Sequence, residues 1–169
     1  PKCDLVLSSS DCMSLELSKV YGIAAPVALY NTPPRVPHLR PKQTSGLNLY
    51  WRNSTIGFGE RGLEDVLQAL NLLPVEIVLH LQGNLPRRNS VELRDRIAQL
   101  KLVDRVMIHP PYALGEAVAQ ASLHDVGLCL ERRSNKNHEL TVSNKIFDYL
   151  MGGLAVISSD LPGLRDIVD

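Results

Sequence analysis

Residues 47–81 read LNLYWRNSTIGFGERGLEDVLQALNLLPVEIVLHL, and their pattern is the most informative about the fold. It begins and ends with short apolar runs, at 47–51 and 76–81, of which the second is largely continuous rather than alternating. Continuous apolar runs of this length are typical of strands that are buried on both faces, as in parallel sheets. Between them, residues 62–73 carry apolar side chains at the i, i+3, i+4, i+7 spacing of an amphipathic helix. The stretch therefore predicts a β-α-β unit.

The same alternation continues on both sides of this stretch. Further apolar runs predict strands at residues 4–8, 26–30, 105–109, 125–130 and 154–158. Helical patterns lie between them: residues 13–21 ended by Gly22, a helix capped by Ser90, residues 113–121, and residues 144–151 capped by Ser143. Because strand and helix alternate, we predict an α/β fold with a doubly wound, Rossmann-like parallel sheet.

A proline-rich segment interrupts this pattern at residues 32–46. It contains four prolines and has no apolar period, which is typical of a linker. We therefore predict three parts: a short β-α-β piece at 1–31, an interdomain linker at 32–46 and one domain at 47–169.

Composition argues against several classes of protein. Lys+Arg and Asp+Glu are 18 each, so the net charge is zero and no bulk basic surface for a nucleic acid is visible. No apolar run reaches the roughly 20 residues that span a bilayer. The cysteines, Cys3, Cys12 and Cys129, have neither CxxC nor CxH spacing, which argues against a disulfide scaffold or a zinc site. We expect small buried thiols in a reducing compartment, the cytoplasm.

Ligands of doubly wound sheets bind at the carboxyl ends of the strands, and the loop after the strand at 47–51 contains a GxGxxG pattern from Gly57 to Gly62. The first glycine follows that strand by about five residues, and the next strand ends in LQG at 81–83, without the acid that would hold the ribose of NAD. We interpret the pattern as another kind of phosphate-binding loop, in which Arg61 adds a charge-assisted hydrogen bond. The alternative is a solvated Arg61 in the first helical turn.

A second group of candidates follows the next-to-last apolar run. Ser143 and Asn144 precede a helix whose first turn carries Lys145, where a cation opposes the helix dipole unless an anion is bound. Lys145 and Asp148 share one face of that helix, and a surface ion pair is the alternative interpretation. In the polar loop before this helix, His138 is the histidine that we expect to contact a ligand.

Other features of the sequence argue against a nucleic-acid site and a metal site. The basic run at 132–136 has no interleaved aromatic residues, so we interpret it as a solvated loop rather than a nucleic-acid site. With Arg61 and Lys145, its residues Arg132 and Arg133 form a local basic rim sized for a diphosphate. DxD, HExxH, P-loop and GxSxG patterns are absent from the sequence, and we predict no metal site.

Three segments resemble family 4 glycosyltransferases. ERGLEDVLQAL at 60–70 is similar to the basic residue, glycine and amphipathic helix of the family's C-terminal domain. SNKIFDYLMGGLAVISSDLPGLRDIV at 143–168 is similar to its later signature of acidic helix, small-residue turn, strand and Pro-containing loop. CDLVLSSSDCMSLELSKVYGIAAPVALYN at 3–31 resembles the end of its N-terminal domain. The resemblance implies a fragment of the two-domain GT-B architecture: a C-terminal donor-binding domain, incomplete at its C-terminus, after a β-α-β remnant of the N-terminal Rossmann-like domain.

The resemblance also implies roles for the candidate residues. Arg61 and Lys145, which we take as the catalytic residues, would stabilise a departing diphosphate, and Asp148 would meet the ribose hydroxyls. Tyr112, after the strand at 105–109, is our candidate for the base pocket, and plain packing is the open alternative. Residues of the same loops complete the predicted donor-binding set: Arg52, Gly59, Gly62, His138, Glu139, Ser143 and Asn144.

The chain departs from the family pattern at two places. The usual Gly-Arg after the first strand of the C-terminal domain is not evident, and Arg52 is the candidate that stands in for it. The other departure concerns one acidic residue. The glutamate that commonly stands seven intervening residues before the helical acid is Leu140 here. Glu139 is adjacent, and we expect it to substitute after a one-residue shift of the loop. A literal E-x7-E at Glu131 and Glu139 lies too far upstream to align, and we interpret it as a decoy.

The resemblance implies a hexosyltransferase-like glycosyltransferase that transfers sugar from a nucleotide-diphosphate donor to a glycan or lipid-linked acceptor, as in polysaccharide biosynthesis. It also implies retention of configuration, no metal, and no cofactor besides the donor substrate. Because the N-terminal domain is expected to be missing, the chain alone is expected to be inactive. The expected location is the cytoplasm, including the cytoplasmic face of the membrane. The open alternatives are a non-catalytic nucleotide-sugar-binding module and a GT-B sugar-nucleotide epimerase.

Overall fold

The computed structural model describes residues 3–36, 39, 46–59, 61–113 and 115–168. The strands in this part of the chain are β1 (Leu7–Ser8), β2 (Val27–Ala28), β3 (Asn48–Thr55), β4 (Val78–Asn84), β5 (Val106–His109), β6 (Val126–Cys129) and β7 (Ala155–Ser158). The helices are α1 (Asp11–Tyr21), α2 (Leu63–Leu72), α3 (Arg87–Gln99), α4 (Ala117–Ala121), α5 (Lys136–Leu140), α6 (Lys145–Met151) and α7 (Pro162–Val168).

Five strands form one parallel sheet in the order β5-β4-β3-β6-β7. The chain runs from the central strand β3 outward through β4 to β5, and then returns to the other side of β3 with β6 and β7. This reversal makes the sheet doubly wound and creates a switch point between β3 and β6. The predicted α/β fold with a doubly wound parallel sheet is confirmed.

The central strand is buried on both faces, which explains the apolar run in its sequence. On one face, Trp51 of β3 is fully buried under the apolar stripes of α2 and α3. On the other face, Tyr50 packs with Ile146 and Tyr149 of α6, all fully buried. Because successive residues of a strand point to opposite faces, Tyr50 and Trp51 contribute to two separate cores.

The N-terminal segment forms a separate two-stranded parallel sheet, β1-β2, and contacts the rest of the chain through α1. Ser10 caps α1 by accepting a hydrogen bond from Met13 N at 3.0 Å, and its hydroxyl donates to the Leu140 carbonyl oxygen at 2.5 Å. Because Ser10 is the cap, α1 begins at Asp11, earlier than predicted. It ends before Gly22, which has a left-handed backbone, as predicted.

The starts of three helices differ from the predictions. α3 begins directly behind Pro86, so Ser90 lies inside the helix and does not cap it. Proline is tolerated at this position because it lacks only an N–H, and the N–H groups at a helix start have no partner within the helix. α6 begins at Lys145 without a side-chain cap, so the predicted capping role of Ser143 is wrong. α4 is shorter than predicted.

Two short helices, α5 and α7, are absent from the predictions. α5 has only five residues within the polar segment after β6, too few to show an apolar period. Most of the predicted linker, residues 37–38 and 40–45, lies outside the described residues. Among the helices of the described part, none combines the length and apolar character needed to cross a membrane.

The cysteines differ in burial. Cys129 is buried as expected, and burial raises the pKa of its thiol. The expectation is wrong for Cys3, which is exposed, and for Cys12, which is half-buried. Both belong to the N-terminal segment, whose two-stranded sheet offers little interior to bury them.

Three histidines without ligand spacing in the sequence meet beside the sheet. His80 Nδ1 lies 2.9 Å from His109 Nε2, and His80 Nε2 lies 3.1 Å from Asn48 Oδ1. The His124 ring stacks on Tyr50, with ring centroids 4.3 Å apart. Burial and the neighbouring imidazoles lower the pKa of His80 to about 4, and burial lowers the pKa of the other two rings. Both ring nitrogens of His80 therefore have hydrogen-bond partners within the fold.

Candidate functional site

The candidate site lies at the switch point, where β3 and β6 run side by side. Beyond their carboxyl ends, the loop after β3 supplies Arg61, and the segment after β6 supplies Glu131 and then Lys145. These groups belong to distant parts of the sequence, and the parallel arrangement of the strands brings them to one edge of the sheet.

Glu131 joins the two predicted cations. Its carboxylate accepts a hydrogen bond from the Arg61 guanidinium and, through Oε1, another from Lys145 Nζ at 3.2 Å. Its backbone N donates to Ser159 Oγ at 2.8 Å, and the residue is only 7% exposed. No role was predicted for Glu131. Its place directly after the predicted strand at 125–130 is a signal for a site residue, but it does not indicate the partners of the carboxylate.

Lys145 is the first residue of α6 and is itself only 7% exposed. Burial, followed by the positive charges of Arg61 and Arg52, lowers the pKa of Lys145 to about 8. The alternative of a surface ion pair with Asp148 is wrong, because both residues are buried and each pairs with a different residue. The Glu131 carboxylate supplies the anion that this helix start needs.

The loop that carries Arg61 is held against the core. The Arg61 carbonyl oxygen accepts a hydrogen bond from the indole Nε1 of Trp51 at 2.9 Å. Gly62 follows with a left-handed backbone, and α2 begins only after it. Arg61 is therefore not a solvated residue of the first helical turn. The expected spacing of about five residues between strand and first glycine is also wrong, because β3 continues to Thr55, close to Gly57.

A second charged group stands beside the first. The Arg52 guanidinium donates one hydrogen bond to Asp148 and another to the hydroxyl of Tyr112. The backbone N of Arg52 donates to the Tyr149 hydroxyl at 3.3 Å. Arg52 thus connects the acid predicted at the ribose with the tyrosine predicted at the base.

Three cavities open around these residues. The cation cavity is lined by Arg52, Asn53, Ser54, Arg61, Ser143, Asn144 and Lys145. The loop cavity is lined by Arg61, Glu131, Asn137, His138, Thr141, Val142, Ser143 and Asn144. The tyrosine cavity is lined by Arg52, Asn53, Ser54, Gln82, Gly83, Pro111 and Tyr112.

Most of the predicted site residues line these cavities: Arg52, Arg61, Tyr112, His138, Ser143, Asn144 and Lys145. Four others do not contribute to the lining. Gly59 and Gly62 belong to the Arg61 loop, Asp148 is buried against Arg52, and Glu139 is half-buried on α5. Among the residues that the structure describes, no contact of Glu139 supports its expected substitution for the family glutamate.

The predicted basic rim is smaller than expected. Arg132 pairs with Asp65 on α2 at 3.0 Å, and Arg133 donates to the Asp160 carbonyl oxygen at 3.3 Å. Both side chains are engaged with these partners and not with the Glu131 carboxylate that Arg61 and Lys145 share. In the part of the chain that the structure describes, no group of three or more His, Cys, Asp or Glu residues is arranged to hold a metal ion.

No protein-family model and no curated protein sequence matches the chain. Solved structures share its fold. The Anabaena protein HepE, crystallised with UDP and glucose, matches over 99% of this chain and 47% of its own, with a TM-score of 0.74 and 15% identity. The lipopolysaccharide outer core galactosyltransferase WaaB matches over 99% and 46%, with a TM-score of 0.72 and 18% identity. The pneumococcal O-GlcNAc transferase GtfA, crystallised with UDP and GlcNAc, matches over 98% and 32%, with a TM-score of 0.66 and 17% identity.

These neighbours are glycosyltransferases of the GT-B class, and the chain has the fold of one part of them. The chain spans less than half the length of each. The narrower resemblance to family 4 stays a prediction.

Proposed function

We propose that the chain is the donor-binding part of a GT-B glycosyltransferase, and that it holds a nucleotide-diphosphate sugar at the switch point. The observation that carries the proposal is the pair of Arg61 and Lys145, held by one buried carboxylate beside the cation cavity. Two cations against one carboxylate leave a net positive charge, which suits a diphosphate. The nucleotides in the HepE and GtfA structures, which share this fold, support the same choice of ligand.

The proposed role of the cations follows from the chemistry of transfer. The bond between the anomeric carbon and the diphosphate oxygen breaks, and its electron pair leaves with the diphosphate. The anomeric carbon forms a new bond to the oxygen of an acceptor hydroxyl, whose proton passes to the departing diphosphate. Negative charge grows on that oxygen in the transition state, so Arg61 and Lys145 would lower the barrier without having to reorganise. The resemblance to family 4 supports retention, metal independence and a glycan or lipid-linked acceptor as parts of this proposal.

The rest of a first Rossmann-like domain is the partner that we propose for the N-terminal segment. Apolar side chains of β1-β2 and the residues flanking it are half or more exposed: Leu5, Leu7, Val27 and Leu29. An apolar surface of this kind marks a contact with another part of a protein. We therefore expect the 169-residue chain to bind a donor nucleotide without transferring sugar, and turnover by this chain alone would contradict that division.

Calorimetric titration with UDP, GDP, ADP and dTDP tests donor binding. We expect at least one of them to bind, and we expect Arg61→Ala and Lys145→Ala each to weaken that binding about tenfold or more, because each removes a charge-assisted hydrogen bond. Arg94→Ala, on the exposed surface of α3, is the matched control and should leave the affinity unchanged. If none of the four nucleotides binds the wild-type chain, the proposal fails.

Nucleotide binding should also depend on pH through Lys145. Its pKa is lowered to about 8, so the positive charge is present at pH 7 and is mostly lost by pH 9. We expect the affinity for the bound nucleotide to fall up to about tenfold between these values, since one pH unit on each side of the pKa changes the charged fraction by that factor. A Lys145→Met variant should bind weakly with a flat profile over the same range. An equally steep fall in Lys145→Met would assign the titration to another group.

A non-catalytic nucleotide-sugar-binding module is the second candidate, and Leu140 favours it. This residue stands where the family commonly has a glutamate, and it is buried with its carbonyl oxygen bonded to Ser10. Sugar transfer by a longer chain that includes the rest of the first domain would exclude the module. Conversion of the sugar nucleotide without an acceptor would instead indicate the epimerase.

A further inference from the structure

We infer that Arg52 is a positioning residue for the nucleoside end of the donor site, and that it does not bind the diphosphate. The inference rests on the proposed function, because it assigns the two ends of that same ligand. Arg52 lines both the cation cavity and the tyrosine cavity, and therefore stands in the wall between them.

The contacts of Arg52 point to the nucleoside side. One terminal nitrogen of the guanidinium donates to Asp148 and the other donates to the Tyr112 hydroxyl. The guanidinium carbon lies 5.9 Å from the centre of the Tyr112 ring. Its Nε is buried and has no hydrogen-bond partner among the described residues, so the side chain is held through its two terminal nitrogens.

Charge decides which partner Arg52 keeps. Asp148 is 7% exposed, and Arg52 is the cation with which it pairs. If Arg52 turned to a diphosphate, it would leave a buried carboxylate unpaired, which costs more than one charge-assisted hydrogen bond returns. Arg61 and Lys145 face a different situation, because they share one carboxylate and keep a net positive charge.

The lining of the tyrosine cavity suits a flat group. Gln82, near the end of β4, donates through Nε2 to the Pro110 carbonyl oxygen and accepts from the Tyr50 hydroxyl at 3.4 Å. These bonds hold the pair Pro110-Pro111 against the end of β4. Tyr112 follows this pair, and Arg52 holds its hydroxyl. A rigid aromatic ring beside Pro111, with a few fixed polar groups, is the kind of wall that receives a planar base.

The test separates the two ends of the ligand. Uridine and inorganic pyrophosphate are titrated separately into the 169-residue chain, with affinities measured from NMR shifts and with UDP as the complete ligand. Uridine is chosen because HepE and GtfA were crystallised with UDP. We expect Arg52→Met to weaken uridine binding about tenfold and to leave pyrophosphate binding within about twofold. Arg61→Met is the matched comparison, with the opposite pattern expected.

Tyr112→Phe is the second variant, because it leaves the pair of Arg52 and Asp148 intact if Arg52→Met does not fold. It should weaken uridine binding about threefold and leave pyrophosphate binding unchanged, since it removes one neutral anchor of the ring.

The results distinguish a failure of the inference about Arg52 from a failure of the proposed function. A loss of pyrophosphate affinity in Arg52→Met as large as in Arg61→Met would overturn the inference and make Arg52 a diphosphate ligand. Unchanged uridine binding in Tyr112→Phe, or pyrophosphate binding without uridine binding in the wild-type chain, would also overturn it. If the wild-type chain binds neither pyrophosphate nor any nucleotide, the proposed function itself fails.

Discussion

Replacing Glu131 by glutamine is expected to destabilise the folded chain by about 3–5 kcal/mol at pH 7, because it removes the partner of a buried charge. Lys145, which is 7% exposed, would then either stay charged without a carboxylate or give up its proton at a cost, and Arg61 would lose the same partner. Glutamine has nearly the shape of glutamate, so the loss reports charge rather than packing. The measurement is the free energy of unfolding in urea.

Two comparisons make this result specific. Glu64→Gln removes a carboxylate that pairs with Arg132 at 3.5 Å on the exposed surface, and it should not change the unfolding midpoint measurably. The loss in Glu131→Gln should also shrink at pH 9, because Lys145, with a pKa of about 8, is then mostly neutral in the folded chain. Equal midpoints for wild type and Glu131→Gln at pH 7 would contradict the role assigned to this carboxylate.

Gly83→Ala is expected to destabilise the chain by about 3 kcal/mol or more, because the new Cβ has no room and the backbone is strained. The Cβ would lie 2.1 Å from the Asn53 carbonyl oxygen, which is backbone and cannot turn aside. The close approach arises from an irregularity in β3, where the register with β4 shifts between Arg52 and Thr55. The backbone φ of Gly83 is +152°, which side-chain-bearing residues rarely adopt. Urea unfolding of the variant measures the effect.

Gly59→Ala separates the two causes of this loss. Gly59 also has a positive φ, of +128°, but its Cβ would meet nothing within 4 Å among the described residues. We expect it to cost about 1 kcal/mol, from backbone strain alone. If Gly83→Ala and Gly59→Ala lose the same stability, the close approach of β3 and β4 is not the cause.

The sequence predicts the sheet better than its connections. Every predicted strand of residues 47–169 is present, because each leaves a short apolar run in the sequence, including the edge strand β7, which is not buried on both faces. α5 is missed because five residues hold too little of a helical period, and the cap of α3 is misassigned because Pro86 competes with Ser90 for the helix start. The predictions are wrong where a few residues determine a helix or its boundary, and they are right where a hydrophobic pattern repeats over many residues.

The sequence predicted which types of residue belong to the site, but it predicted only partly which of these residues form ion pairs with each other. Arg61 and Lys145 could be chosen because each stands where a strand end leads into a helix. Their shared partner Glu131 could not, because nothing in the linear spacing indicates which acid meets which base. The same holds for Arg52, whose connection to Asp148 and Tyr112 joins three distant segments.

The α/β class, the alternation of strand and helix, and the strand ends that carry cations can all be read from the linear chain, because hydrophobic period and charge are local properties. The packed fold was needed to establish that β3 and β6 are neighbours, that one carboxylate holds Arg61 and Lys145 together, and that Arg52 pairs with Asp148. This difference arises from burial. An ion pair has a definite partner only when both groups have lost water, and which groups lose water together depends on how the sheet and helices pack.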